Sequence, residues 1–150
     1  MIKPEINIGG TTVTLLCTIK DIKGVSITKT YVVKEPPALF VELSRNGEKL
    51  ATVTVDNRDE DIPIDGKTVY EISSLSEQVS FYGIQCKKST LEDVDAVFGE
   101  PKLKGLNHCT VFLGDNFTVE FGADETYKTI YEISLYKSDY LPNSYCGEYD

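Results

Sequence analysis

Apolar residues recur along this chain with two periods, one helical and one of strands. Helical spacing is clearest over residues 89–98, where Leu91, Val94, Val97 and Phe98 share a face and Ser89 with Glu92 has capping-box spacing. Gly99 and then Pro101 stop this run. Glu92, Asp93 and Asp95 fall in its early turns, where the positive end of the helix dipole favours carboxylates. That placement explains them better than a paired-carboxylate catalytic site does.

The two-residue period follows at 109–113 and 117–121. A hairpin that pairs Leu113 with Phe117, Val111 with Val119 and Cys109 with Phe121 makes one face wholly apolar, which predicts a three-residue loop at 114–116. Upstream, 39–44 and 49–55 flank Arg45-Asn46-Gly47-Glu48. Asn-Gly invites a two-residue turn, yet pairing Leu43 with Ala51, Val41 with Val53 and Leu39 with Val55 gives the cleaner face, so an odd-length loop is expected again.

The pattern occurs twice. Lys67-Thr68-Val69-Tyr70-Glu71-Ile72-Ser73 and Lys128-Thr129-Ile130-Tyr131-Glu132-Ile133-Ser134 differ at one position. Thr18 with Asp21, followed through Ile19 and Ile22, parallels Thr90 with Asp93 and Leu91 with Val94, and Gly24 stops the first helix about one turn sooner. The helix markers lie 72 residues apart (90 − 18) and the strand markers 61 (128 − 67), so the first copy holds 11 extra residues (72 − 61). A strand at 25–33 and the break at Pro36-Pro37 account for them. Short apolar runs precede each helix, at 6–8 and 13–16 across Gly9-Gly10 and at 79–84. Each unit reads strand, helix, hairpin, strand. The expectation is an α+β fold: one compact domain over 1–150, two tandem helix-plus-antiparallel-sheet repeats at about 5–75 and 79–137, and a short C-terminal tail. The helices should pack on one face of the sheets, with 89–98 covering Val111, Val119 and Phe121.

The second unit, Ser89-Thr90-Leu91-Glu92-Asp93-Val94 continuing through Val97-Phe98-Gly99-Glu100-Pro101 into an antiparallel meander, resembles small envelope lipoproteins of the SmpA/OmlA type. Two such units in tandem look like the beta-lactamase-inhibitor-protein architecture. Leu15-Leu16-Cys17-Thr18 and the segment 83–94 also resemble helix entries in uncharacterised exported or lipid-anchored proteins of Gram-positive gut bacteria. The resemblance implies an extracytoplasmic, envelope-associated protein whose signal is absent from this chain, and it brings no catalytic residues with it.

Charge narrows the partners. The net charge of −9 divides unevenly, with 9 basic and 11 acidic residues in 1–75 against 6 and 13 in 76–150. Nucleic acid and anionic membrane are repelled by such a field, whereas a basic protein or a cation fits, and the tyrosine-rich C-terminal stretch suits a basic or carbohydrate partner. Hydrophobic content of 41% argues against disorder. No run approaches the ~18 apolar residues of a transmembrane helix.

Candidate chemistry is sparse. Cys17, Cys86, Cys109 and Cys146 form no C-x-x-C pair, and if any disulfide exists, Cys86 with Cys109 is the expected one. His108, the only histidine, adjoins Cys109, but neighbours on a strand face opposite ways. The acidic run Asp56–Asp61 lacks the glycine and glutamate of an EF-hand loop and reads as a solvated connection. No nucleophile elbow or phosphate-binding glycine loop is present. Six of the nine tyrosines lie from Tyr127 onward, and Tyr136, Tyr140, Tyr145 and Tyr149 are the candidate interaction surface. These readings lead to a non-catalytic binding or scaffold domain of the bacterial cell envelope, without cofactor or metal. The alternative is a cytoplasmic acidic immunity or inhibitor protein that binds a basic toxin or enzyme.

Overall fold

Segments in which every second residue is apolar fold as strands and make up most of the regular structure. The computed structural model of the chain describes residues 2–99 and 103–139. Its strands are β1 (Glu5–Ile8), β2 (Thr11–Thr14), β3 (Ser26–Val33), β4 (Ala38–Arg45), β5 (Glu48–Asp56), β6 (Val69–Ser74), β7 (Val79–Phe81), β8 (Ile84–Gln85), β9 (Leu103–Lys104), β10 (His108–Leu113), β11 (Phe117–Ala123) and β12 (Ile130–Lys137). Among the described residues there is one α-helix, α1 (Leu91–Phe98). The strands form two antiparallel sheets, a small one ordered β2-β1-β7-β8 and a large one ordered β3-β4-β5-β6-β12-β11-β10-β9.

One apolar cluster lies between the sheets. Ile6, Ile8, Val13, Val79, Phe81 and Ile84 enter it from the small sheet, and Val41, Leu43, Val53, Ile72, Val119, Phe121, Ile133 and Leu135 from the large one. Phe81 and Phe121 bring their ring centroids to 6.3 Å across this layer. Phe98 of α1 stacks on Phe81 at 5.9 Å and reaches Phe121 at 6.0 Å.

The α+β expectation, with helices covering the sheets, is therefore corrected: the fold is mostly β, and its second layer is itself a sheet. The short runs before each helix supply that layer, because Ile6 with Ile8 and Val79 with Phe81 alternate at strand period. The first expected helix shrinks to a single 3-10 turn, Ile19–Asp21. With Gly24 so close, it cannot add enough hydrogen bonds to offset the cost of nucleation. The second survives as α1 and packs on β10. Its cap is Thr90 rather than Ser89: Thr90 Oγ1 accepts from the Asp93 amide at 3.3 Å, and Asp93 Oδ2 accepts from the Thr90 amide at 2.9 Å. Ser89 Oγ instead accepts from the Gln85 amide at 2.8 Å.

The β10–β11 hairpin pairs Leu113 with Phe117, Val111 with Val119 and Cys109 with Phe121, so a three-residue loop joins it. The β4–β5 hairpin reaches its apolar register differently. Arg45 lies opposite Glu48, and Asn46 and Gly47 form a two-residue turn with positive φ of 53° and 81°. The odd-length loop expected there is thus corrected: a bulge absorbs the extra residue, so that Ser44 opposes Lys49 while Leu43 still opposes Ala51.

Both sheet orders read as mirrored halves. Ser73 of β6 lies opposite Ser134 of β12, the same position of the two heptapeptides, and the flanking pairs Ile72–Leu135 and Ser74–Ile133 exchange under a 61-residue offset (133 − 72, 135 − 74). In the small sheet Asn7–Ser80 and Ile8–Val79 exchange under an offset of 72 (79 − 7, 80 − 8). A local two-fold axis therefore passes through the Ser73–Ser134 pair and the centre of the β1–β7 ladder. Isolated bridges join Thr18 to Thr68 and Thr90 to Thr129. Bulges also match, at Thr54/Val55 and at Gly122/Ala123.

Candidate functional site

The residues singled out from the sequence fall in separate places. Tyr136, on β12, is half-buried and lies opposite Glu71 and Thr118. Tyr140, Tyr145, Tyr149 and Cys146 lie outside the described residues. Cys86 and Cys109 are both fully buried, and both are free thiols. Cys86 Sγ contacts the Ser74 carbonyl at 3.6 Å, while Cys109 sits on β10 with β11 and β12 between it and Ser74 on β6. Burial raises the Cys86 thiol to about 11 and Cys17 likewise to about 11, and it also raises Cys109. At neutral pH these groups are thiols, so they are poor nucleophiles.

His108 is exposed opposite Gly122, on the face away from the buried Cys109. The ring lies over Gly105, where an added Cβ would collide with its Cε1. The acidic connection closes on itself. Desolvation works to raise Asp56, but the Arg58 hydrogen bonds and charge outweigh it and hold the carboxyl below its ordinary value. Asp59 Oδ1 accepts from the Asp61 amide at 3.0 Å, and Lys67 Nζ reaches the Asp59 carbonyl at 2.7 Å. Asp56 and Asp59 thus have local donors that compete with a cation.

A cleft of about 470 Å³ opens where β5 and β6 meet the turn before β7, lined by Glu48, Lys49, Thr52, Ser73, Ser76, Glu77, Lys87 and Glu132 among others. Its lining carries hydroxyls and charges of both signs but neither histidine nor cysteine. Glu48 already accepts two hydrogen bonds from Gln78 Nε2, at 2.8 and 2.9 Å. The outer face of the large sheet is also polar. Glu42, Thr52, Ser73, Ser134 and Glu120 lie in one row across five strands, with Glu71 and Glu132 two residues along their strands on the same face.

The strongest departure from ordinary burial is β3. It pairs with β4 on one side and, among the described residues, has no strand on the other. Seven of its eight residues are exposed, and only Val33 is half-buried. Ile27, Thr30 and Val32 lie opposite Leu43, Val41 and Leu39, on the core-facing side of the sheet, yet Val32 is 68% exposed. An edge strand presents a row of unpaired amides and carbonyls, the template on which another strand adds. From the repeat pattern alone, 25–33 registers only as the surplus of the first copy. The signal that could have found it is the uncharged β-prone run Thr30-Tyr31-Val32-Val33 bracketed by Lys29 and Lys34.

No family model matches the chain, and comparisons with curated proteins and with solved structures likewise give no match.

Proposed function

We propose that this chain is a non-catalytic binding domain of the bacterial cell envelope and that it holds its partner along β3. The observation that carries the reading is an eight-residue edge strand whose core-side apolar residues are left uncovered. Adding a strand there would satisfy the edge amides and carbonyls and bury Ile27 and Val32 together. The envelope location rests on the resemblance of the second unit to small envelope lipoproteins. No described helix is long and apolar enough to cross a membrane.

The test is site-specific photocrosslinking in the native host. A photoreactive residue at Val32 should give a discrete adduct, whereas one at Ile62, exposed in the acidic connection, should give none. An empty lane at position 32, or equal labelling at both positions, sinks the reading. A second reading, an acidic inhibitor of a basic toxin or enzyme, draws on Glu42, Glu120 and Glu132 on the outer sheet face. It would be favoured by crosslinking from Glu120 rather than Val32, in protein recovered from the cytosol with every thiol reduced.

A further inference from the structure

The two-fold relation shows what the β3 end of the sheet lacks. In the second half α1 packs over β10, on the core side of the sheet. In the first half the matching turn, Ile19–Asp21, is too short to do this and lies instead against the 3-10 turn Ile64–Gly66. The two-fold mate of β10 is β4, and one strand farther out Ile27, Thr30 and Val32 form an exposed ledge on the core-facing side of the sheet.

The protection of this edge is partial. A bulge at Ile27/Lys29 and the Lys29 charge blunt its first half, as edge strands commonly require. From Thr30 to Val33 there is neither charge, proline nor bulge.

Charge selects the occupant. Between residues 20 and 34 the chain carries Lys20, Lys23, Lys29 and Lys34 against Asp21 alone, a local +3, while the remainder of the chain carries −12 (−9 − 3). All four lysines are exposed, and none forms an ion pair among the described residues. Lys29 does lie opposite Glu42, but that carboxylate is shared with Lys49 at 3.9 Å and with the Tyr31 hydroxyl at 3.3 Å. A second copy of the chain would bring the same four lysines to the seam. Nucleic acid cannot pair with backbone amides along a strand, and the −12 remainder repels it.

Resting on the edge-binding reading above, we infer that the segment received by β3 is an extended acidic peptide. It carries a short run of β-branched residues flanked by carboxylates, pairs its backbone with Thr30–Val33, and places alternate side chains beside Thr30 and Val32. Its flanking carboxylates meet Lys29 and Lys34.

The experiment uses the full chain and a fluorescein-labelled peptide of alternating valine and threonine with glutamates at both ends, beside a twin carrying lysines instead. Anisotropy at low salt should show binding of the acidic peptide only, weakened about tenfold or more by Lys29→Glu with Lys34→Glu. Hydrogen exchange should slow in β3 and nowhere else. Val32→Asn, at an exposed site, should weaken binding while leaving the circular dichroism melt unchanged. Equal binding of both peptides would overturn the acidic assignment while leaving the edge in use. Binding of neither, in a chain whose Val32 crosslinks to a host partner, would overturn it in the same way. A chain-to-chain adduct at Val32 would make a second copy the occupant and overturn it too.

Discussion

Arg45 shows how one side chain can hold a layer in place. It follows the apolar run of β4, where a surface arginine would be unremarkable, but its guanidinium forks toward three carbonyls. Nη1 donates to Gly9 at 2.9 Å, Nε to Gly24 at 3.1 Å and Nη2 to Lys23 at 3.4 Å. Those carbonyls belong to the β1–β2 turn and to the segment entering β3, so a single residue ties the small sheet to the edge of the large one. A Cβ on Gly9 would collide with Nη1, which explains a glycine there beyond its φ of +56°. Arg45→Met should lower stability by about 1–2 kcal/mol, read as a shift of the urea midpoint, because a part-buried charge-assisted set is lost. Arg45→Lys should recover little of it, since one ammonium cannot span the fork. An unchanged midpoint for both variants would remove this role.

Among elements, α1 and the Ile19–Asp21 turn start alike and end differently. In each, an aspartate three residues after a threonine takes that threonine's amide, at 2.9 Å for Asp93 and 3.0 Å for Asp21. The residues beyond the cap separate them: Ala96, Val97 and Phe98 continue α1 until Gly99, whereas Gly24 intervenes after one turn. Only the longer one packs as a helix, over β10. Thr90→Ala should cost about 1 kcal/mol of stability, since the Asp93 amide loses its acceptor, and Ser89→Ala should not act through the helix cap. Hydrogen exchange separates the two cases, because only the first variant should hasten exchange in the opening turn of α1. If Ser89→Ala opens that turn and Thr90→Ala does not, the cap has been assigned to the wrong residue.

At the scale of the molecule, both sheets cross the boundary between the halves. The β6–β12 ladder joins them in the large sheet and β1–β7 in the small one, and one apolar cluster draws on both halves. Neither half can be peeled away without breaking two ladders. Urea unfolding should accordingly follow one transition, with tyrosine fluorescence and far-ultraviolet circular dichroism superimposing. Two separated transitions would mean that the halves hold themselves independently.

Local chemistry was legible in the sequence wherever it acts alone. The period of 109–121 specified its hairpin register, because any slip would turn Val111, Val119 and Phe121 outward. The heptapeptides marked β6 and β12 before their pairing was visible. Competition between segments was not legible. Whether 6–8 and 79–84 would be minor strands or a whole layer depended on their meeting as β1 and β7, a contact between residues more than 70 positions apart (79 − 8). The bulge that reconciles Asn46-Gly47 with the apolar register likewise exists only once β4 and β5 are paired. The candidate site divides in the same way. Residue types and charges near β3 are plain in the chain, but an edge is defined by the strand that is missing beside it, and only the assembled sheet shows where that is. The sequence by itself determined the strands, their faces and the doubled pattern, since these follow from local periodicity. The tertiary structure alone decided that sheet packs on sheet and that β3 is left at the open end, because both depend on which distant surfaces bury one another.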